Sequence, residues 1–226
     1  MLQPVFFDCN HQNPIDFDAV ATWAWGGVFK ANQGLGFTDP LFGQRRAEME
    51  KRNLLAGGYD FATGDPVADN VARFLKIVNP GPQTACVLDF EDLTHNAMSG
   101  DQAAEWLDRV AQATGRAPWL YGGNRVREQI RHQDPKWIDL AKVVPLWLCQ
   151  YKSIQVESIA ELRPHISVPA PWTDWTYLQY AADGAGPLPH RMPGVENNAD
   201  LNVYDGTREQ FVAAWPGVNM SPPVTA

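Results

Sequence analysis

Short apolar runs alternate along most of the chain with stretches whose apolar residues recur at helical spacing. Val5-Phe6-Phe7 reads as a strand ending at Asp8, followed by an amphipathic helix over about Ile15 to Ala24 and a short strand at Gly27–Lys30. Asp39-Pro40 predicts a helix start, since proline at the first helical position gives up an N–H that has no partner there. The charged stretch Gln44 to Arg52 forms that helix's solvated face. Leu54–Phe61 reads as the next strand, and Asp65-Pro66 opens a helix to about Val78, stopped by Asn79-Pro80-Gly81-Pro82. Thr84–Leu88 is a buried strand leading into Asp89. Ser99 with Gln102 matches a capping box for a helix to about Thr114, closed by Gly115. Pro118–Tyr121 is a strand, followed by a helix ending before Pro135, and Val143–Gln150 is a further strand. Beyond an irregular, proline-rich stretch come strands near Trp175–Tyr180 and Leu201–Tyr204 and a last helix over Arg208–Trp215.

This order predicts an α/β chain: a single modified (β/α) barrel of about eight strands, with helices reduced near the C-terminal end. A length of 226 residues suits one such barrel, and 45% hydrophobic residues suffice for its core. The barrel is expected to span residues 1–216, with 217–226 as a flexible tail. Loop-rich Gln155–Asp174 is too short for a domain and is expected to form a wall of the site.

Charge narrows the partners. With 26 acidic against 18 basic residues the formal charge is −8, which repels a phosphate backbone, so no nucleic-acid partner is expected. There is no basic amphipathic stretch, and no apolar run approaches the roughly 20 residues that span a bilayer, so membrane insertion is not expected. A neutral glycan is not discouraged, and nine Trp, six Tyr and ten Phe offer faces for sugars, although most such rings read as core. Cys9, Cys86 and Cys149 are too few and too far apart for a disulfide framework or a zinc site and read as free thiols. The five histidines lack metal-binding spacing, and neither metal nor cofactor is expected. Met1-Leu2-Gln3-Pro4 runs into the first strand without signal-peptide character, so a soluble protein made in the cytoplasm, monomeric by default, is expected.

In a parallel barrel the carboxyl ends of the strands build the site. Reading there gives Asp8, Lys30, Tyr59, Asp60, Asp89, Glu91, Tyr121, Gln150, Tyr151, Gln179 and Tyr180, with Asp200 beside the last strand. Asp89 and Glu91 stand two positions apart and face the same way in extended chain, so their repulsion is expected to raise at least one pKa. One protonated and one ionised carboxyl is what glycoside hydrolysis requires. Spacing alone also allows a solvated acidic loop with Asp92, a turn-capping Asp8, a turn residue at Asp200 and a surface Lys30. Four acids also leave open a divalent cation held by oxygen ligands.

The order of short blocks around these positions resembles glycoside hydrolase family 25, the N-acetylmuramidase lysozymes, over about Val5 to Gly206. The blocks are Val5-Phe6-Phe7-Asp8-Cys9-Asn10-His11-Gln12, Lys30-Ala31-Asn32-Gln33-Gly34, Gly57-Gly58-Tyr59-Asp60-Phe61, Leu88-Asp89-Phe90-Glu91-Asp92, Pro118-Trp119-Leu120-Tyr121, Leu146-Trp147-Leu148-Cys149-Gln150-Tyr151, Trp175-Thr176-Tyr177-Leu178-Gln179-Tyr180 and Asp200-Leu201-Asn202-Val203-Tyr204. The resemblance implies hydrolysis of the β-1,4 bond between N-acetylmuramic acid and N-acetylglucosamine in bacterial peptidoglycan. It implies Glu91 as general acid, Asp89 assisting directly or through the substrate's 2-acetamido group, and Asp8 and Asp200 as flanking catalytic acids. Substrate contacts are expected from Lys30, Gln33, Tyr59, Asp60, Tyr121, Trp147, Gln150, Tyr151 and Gln179. Gln33 stands where the family usually has Glu, and Asp60 where it usually has His. Such an enzyme reaches the wall by holin-type release, as a phage endolysin does, or through a secretion machine. A non-catalytic glycan-binding module is the competing reading, although binding a neutral sugar does not require all four acids together.

Overall fold

The computed structural model describes residues 1–91, 95–195 and 200–220. Its elements begin with β1 (Phe6–Cys9), α1 (Phe17–Val20), β2 (Gly26–Gln33), β3 (Phe37–Thr38), α2 (Phe42–Lys51), β4 (Leu55–Phe61) and α3 (Val67–Val78). Then follow β5 (Ala85–Asp89), α4 (Gly100–Thr114), β6 (Arg116–Ala117), β7 (Trp119–Gly122), α5 (Asn124–Gln129) and α6 (Pro135–Ala141). The chain continues with β8 (Leu146–Cys149), α7 (Ile159–Leu162), β9 (Tyr177–Ala181), β10 (Asp200–Tyr204), α8 (Arg208–Ala214) and β11 (Val218–Asn219).

The expected barrel forms. Strands β1, β2, β4, β5, β7, β8 and β9 run parallel in that order, and β10 closes the ring antiparallel to both β9 and β1. Parallel neighbours need long crossovers, which the helices supply through β8. Between β9 and β10 the described residues hold only turns and isolated bridges, and the last strand returns in the opposite sense.

Strand alternation separates two cores. Phe6, Val28, Tyr59, Val87, Trp119, Trp147 and Tyr177 fill the barrel, joined by Phe211 of α8 and by Trp215. Phe7, Phe29, Leu88, Leu120, Leu148, Leu178 and Leu201 face outward into the larger core that includes helix residues such as Phe74 and Trp106. Trp215 plugs the end where the parallel strands start: its indole N–H donates to Ala56 O at 3.3 Å, and a Cβ on Gly26 would lie 2.8 Å from its ring.

Local signals explain both the agreements and the differences. Ser99 Oγ accepts from Gln102 N at 3.2 Å and Gln102 Oε1 accepts from Ser99 N at 3.0 Å, and Gly115 ends α4 at φ +71°. The helix expected over 15–24 shrinks to α1, capped by Asp16. Asp39 does not cap α2; its carboxylate accepts from Leu41 N and His11 N instead, and the helix starts at Phe42. Pro135 does not merely end a helix. It is the first residue of α6, capped by Asp134. The stretch expected to be irregular carries α7 and a 3-10 turn at Arg163–His165. Of the expected tail, Val218–Asn219 pairs with Arg116–Ala117, and residues 221–226 lie outside the described residues.

Candidate active site

Alternation carries the polar residues to one mouth. Phe6 faces into the barrel and Phe7 out, so Asp8 faces in; Val87 faces in and Leu88 out, so Asp89 faces in. Phe90 N donates to Tyr121 O at 2.9 Å, which continues the extended backbone past β5. Phe90 packs into the outer core, and Glu91 returns to the side of Asp89. Because β10 is antiparallel, its first residues reach the same rim: Asp200 pairs with Asp8 and Asn202 with Phe6.

Beneath the acids lies a fixed hydrogen-bond network. Asp8 Oδ1 accepts from Gln179 Nε2 and from Asn202 Nδ2, each at 2.9 Å. Asn202 Oδ1 accepts from Trp147 Nε1 at 2.8 Å. Gln179 Oε1 accepts from Tyr121 OH at 2.7 Å and also from Tyr151 OH. These donors fix both amides with their N–H groups toward Asp8. Asp89 is buried differently: its Oδ1 has no hydrogen-bond partner among the described residues.

A bulge in β2 shapes the opposite wall. The register shifts between Lys30 and Asn32, so Lys30 lies beside Tyr59, Asn32 beside Asp60 and Gln33 beside Phe61. Lys30 and Gln33, three apart, thereby share a face, and Lys30 Nζ donates to Gln33 Oε1 at 2.9 Å. The ammonium also sits 4.5 Å from the centre of the Phe61 ring.

Burial raises the acids together. Burial lifts the Asp8 carboxyl to about 7 against the bonds from Asn202 and Gln179, with the charge of Glu91 adding to the rise. Asp89 is raised well above the usual range by burial and then by Glu91, with Lys30 opposing. Asp200 rises to about 9 through burial and the charge of Asp8. Burial lowers the Lys30 ammonium, while Asp89 pulls the other way. Asp8, Asp89 and Asp200, buried together, cannot all ionise near neutral pH, so the cluster retains protons. The oxygen of Asp8 faces two N–H donors, which disfavour a cation there. Among the described residues no group of three or more His, Cys, Asp or Glu is arranged to hold a metal ion.

Other expected site residues sit elsewhere or act indirectly. Asp60 does not join the mouth. With Tyr59 facing in, Asp60 faces out, where its carboxylate accepts from Asn32 Nδ2 at 2.8 Å and Trp106 Nε1 at 2.9 Å; burial raises it to about 7. Trp147 is buried with its indole N–H on Asn202, which makes it a support rather than a stacking face. Gln150 lines the cleft, but its amide grips the Ser167 backbone, with Oε1 accepting from Ser167 N at 3.0 Å. Tyr59 and Tyr121 are buried in the barrel, and Tyr151 is exposed at the rim. Tyr180 faces outward and donates to Pro189 O at 3.2 Å. Asp92 lies outside the described residues. Asn202 was not among the expected site residues, although its position two after Asp200 puts it on the same face.

A cleft of about 480 Å³ opens beside Glu91, walled by Arg125, Arg127, Cys149, Gln150 and Tyr151. Its floor is tight: a Cβ on Gly122 would come 2.7 Å from Phe90 O, and one on Gly123 2.7 Å from Cys149 Sγ. Glycine is required at both positions by space alone.

A barrel mouth that holds Asp89 buried and Glu91 two residues on at an open cleft supplies the pair of carboxyls that glycoside hydrolysis uses. The chain belongs to glycosyl hydrolases family 25, whose model matches residues 9–187. The protein YegX of Escherichia coli O157:H7 is 25% identical over 223 residues, which cover 93% of this chain and 72% of YegX. Among solved structures, the lysozyme of Streptomyces coelicolor superposes with a TM-score of 0.78 at 20% identity, over 96% of this chain and 99% of that one. The muramidase of Trichobolus zukalii gives 0.75 at 21% identity, over 95% and 99%. At such identities these structures establish the shared barrel fold.

Proposed function

We propose that the protein is a lysozyme-type N-acetylmuramidase that hydrolyses the β-1,4 bond between N-acetylmuramic acid and N-acetylglucosamine in peptidoglycan. The observation that carries this reading is Asp89 buried at the barrel mouth, with Glu91 two residues on lining an open cleft and its charge acting on Asp8, Asp89 and Asp200. In this reading the small part of Asp89 that remains exposed at the mouth receives a substrate N–H, such as that of a 2-acetamido group. Membership of the family and the fold shared with a lysozyme and a muramidase support the same substrate class.

In this mechanism Glu91, beside the open cleft, donates its proton to the glycosidic oxygen as the bond to the anomeric carbon breaks. The acetamido carbonyl oxygen closes on that carbon, and Asp89 stabilises the positive charge that forms on the acetamido group. Water then attacks the anomeric carbon, giving its proton to the Glu91 carboxylate, and the ring opens with retained configuration. The charges of Glu91 and Asp8 add to the rise of their buried neighbours, which keeps protons within the cluster.

The test is release of reducing ends from purified peptidoglycan, with Glu91→Gln alongside. The proposal expects cleavage by the unaltered protein and none by the variant, with unchanged thermal unfolding. Binding without cleavage from pH 4 to pH 8 would replace it with the reading of a non-catalytic glycan-binding module.

A further inference from the structure

The cleft beside Glu91 carries chemistry that a neutral sugar chain does not call for. In a chain with net charge −8, Glu91 is the one acid among the described residues of its wall, and Arg125 and Arg127 are both present. Arg46, Arg52, Arg109, Arg131 and Arg163 each meet a carboxylate. Arg127 makes no ion pair with a described residue; its Nη2 donates to Ser167 O, and a guanidinium has five N–H groups in all. Arg125 has structural work in view, donating to Met98 O at 2.7 Å and lying 5.4 Å from the Phe90 ring centre. Arg127 is therefore the residue that matters for recognition.

Resting on the muramidase reading, we propose that this cleft is a carboxylate subsite in which Arg127 binds an acidic group on the muramic branch of the glycan. That group is the lactyl carboxylate itself or a carboxylate of the stem peptide attached to it. The guanidinium fork matches a carboxylate in two parallel hydrogen bonds. A volume of about 480 Å³ is within the range of small-ligand sites. A cation beside a general acid also favours loss of its proton, which hinders catalysis while the cleft is empty. An incoming carboxylate cancels that effect, so the cation is compatible with the chemistry when the correct branch is bound.

Arg127 could instead serve only as a tether, since Gln150 grips the same Ser167 backbone. The experiment separates these roles. kcat/KM is measured on three forms of one peptidoglycan: intact, stripped of stem peptides by an amidase, and with its carboxylates converted to amides. The unaltered protein should prefer carboxylate-bearing strands over amidated ones. Arg127→Ala should reduce that preference about tenfold, the scale of one charge-assisted contact. Gln150→Ala, which loosens the same wall and keeps the charge, should leave the preference in place. Loss confined to intact strands identifies the peptide as the source of the carboxylate, and loss confined to stripped strands identifies the lactyl group. The proposal is overturned if Arg127→Ala slows all three substrates equally, or if Gln150→Ala erodes the preference as much. Failure of the unaltered protein to cleave any of the three overturns the muramidase reading, and this inference with it.

Discussion

Asp8→Asn separates charge from hydrogen bonding at the centre of the site. Asp8 Oδ1 accepts both of its bonds, from Gln179 and Asn202, and an amide oxygen in the same place can accept both. The variant therefore keeps the network and removes only the ability to ionise. In the folded protein the carboxyl holds its proton to about 7, against an ordinary value of 3.8. Between these two pH values the unfolded chain releases a proton that the folded chain keeps, so stability falls as pH rises through that window. At about 1.4 kcal/mol per pH unit, the loss reaches at most about 4 kcal/mol by pH 8. The amide escapes this loss. The variant should match the unaltered protein at pH 4 and exceed its stability increasingly toward pH 8, by about 2–4 °C of Tm for each kcal/mol in a chain of this size. Urea and thermal unfolding at pH 4, 6 and 8 provide the assay. A stability difference that does not change with pH would show instead that Asp8 ionises alike in both states.

Asn202→Ala should cost about 2–4 kcal/mol in urea unfolding, because it strands the buried Trp147 N–H and removes one of the two donors to Asp8; a loss below about 0.5 kcal/mol would remove Asn202 from the support of the site. Gln33→Glu places a carboxylate on Lys30, which now meets the neutral Gln33 oxygen at 2.9 Å. The new charge competes for Lys30 and repels Asp89, so Asp89 ionises at higher pH and the acidic limb of the kcat/KM profile moves upward. A shift toward lower pH would contradict that geometry.

Much of the site was legible because strand geometry has a fixed period. The Asp89–Glu91 pair follows from alternation, and Asp8 and Asp200 follow from their strand ends. The same rule, applied to β4, excludes Asp60 once Tyr59 faces inward; the strand-end reading overlooked this by counting both as site residues. What one segment could not reveal was long-range pairing. The bulge that brings Gln33 to Lys30 is visible only in the register of β2 against β4. The hold of Gln150 on Ser167 joins residues 17 apart. The antiparallel sense of β10, which puts Asp200 at the mouth, depends on how the last strand closes the ring. Pro135 was ambiguous for a physical reason: proline both ends helices and begins them, and here Asp134 caps a new one.

Glu91 and Asp89 are proposed to cleave the glycosidic bond on the reducing side of muramic acid. Mass spectrometry of the fragments released from peptidoglycan, with borohydride reduction to mark the new ends, tests it most directly. N-acetylmuramic acid is expected at every new reducing end, and no such ends with Glu91→Gln. N-acetylglucosamine at those ends would contradict it.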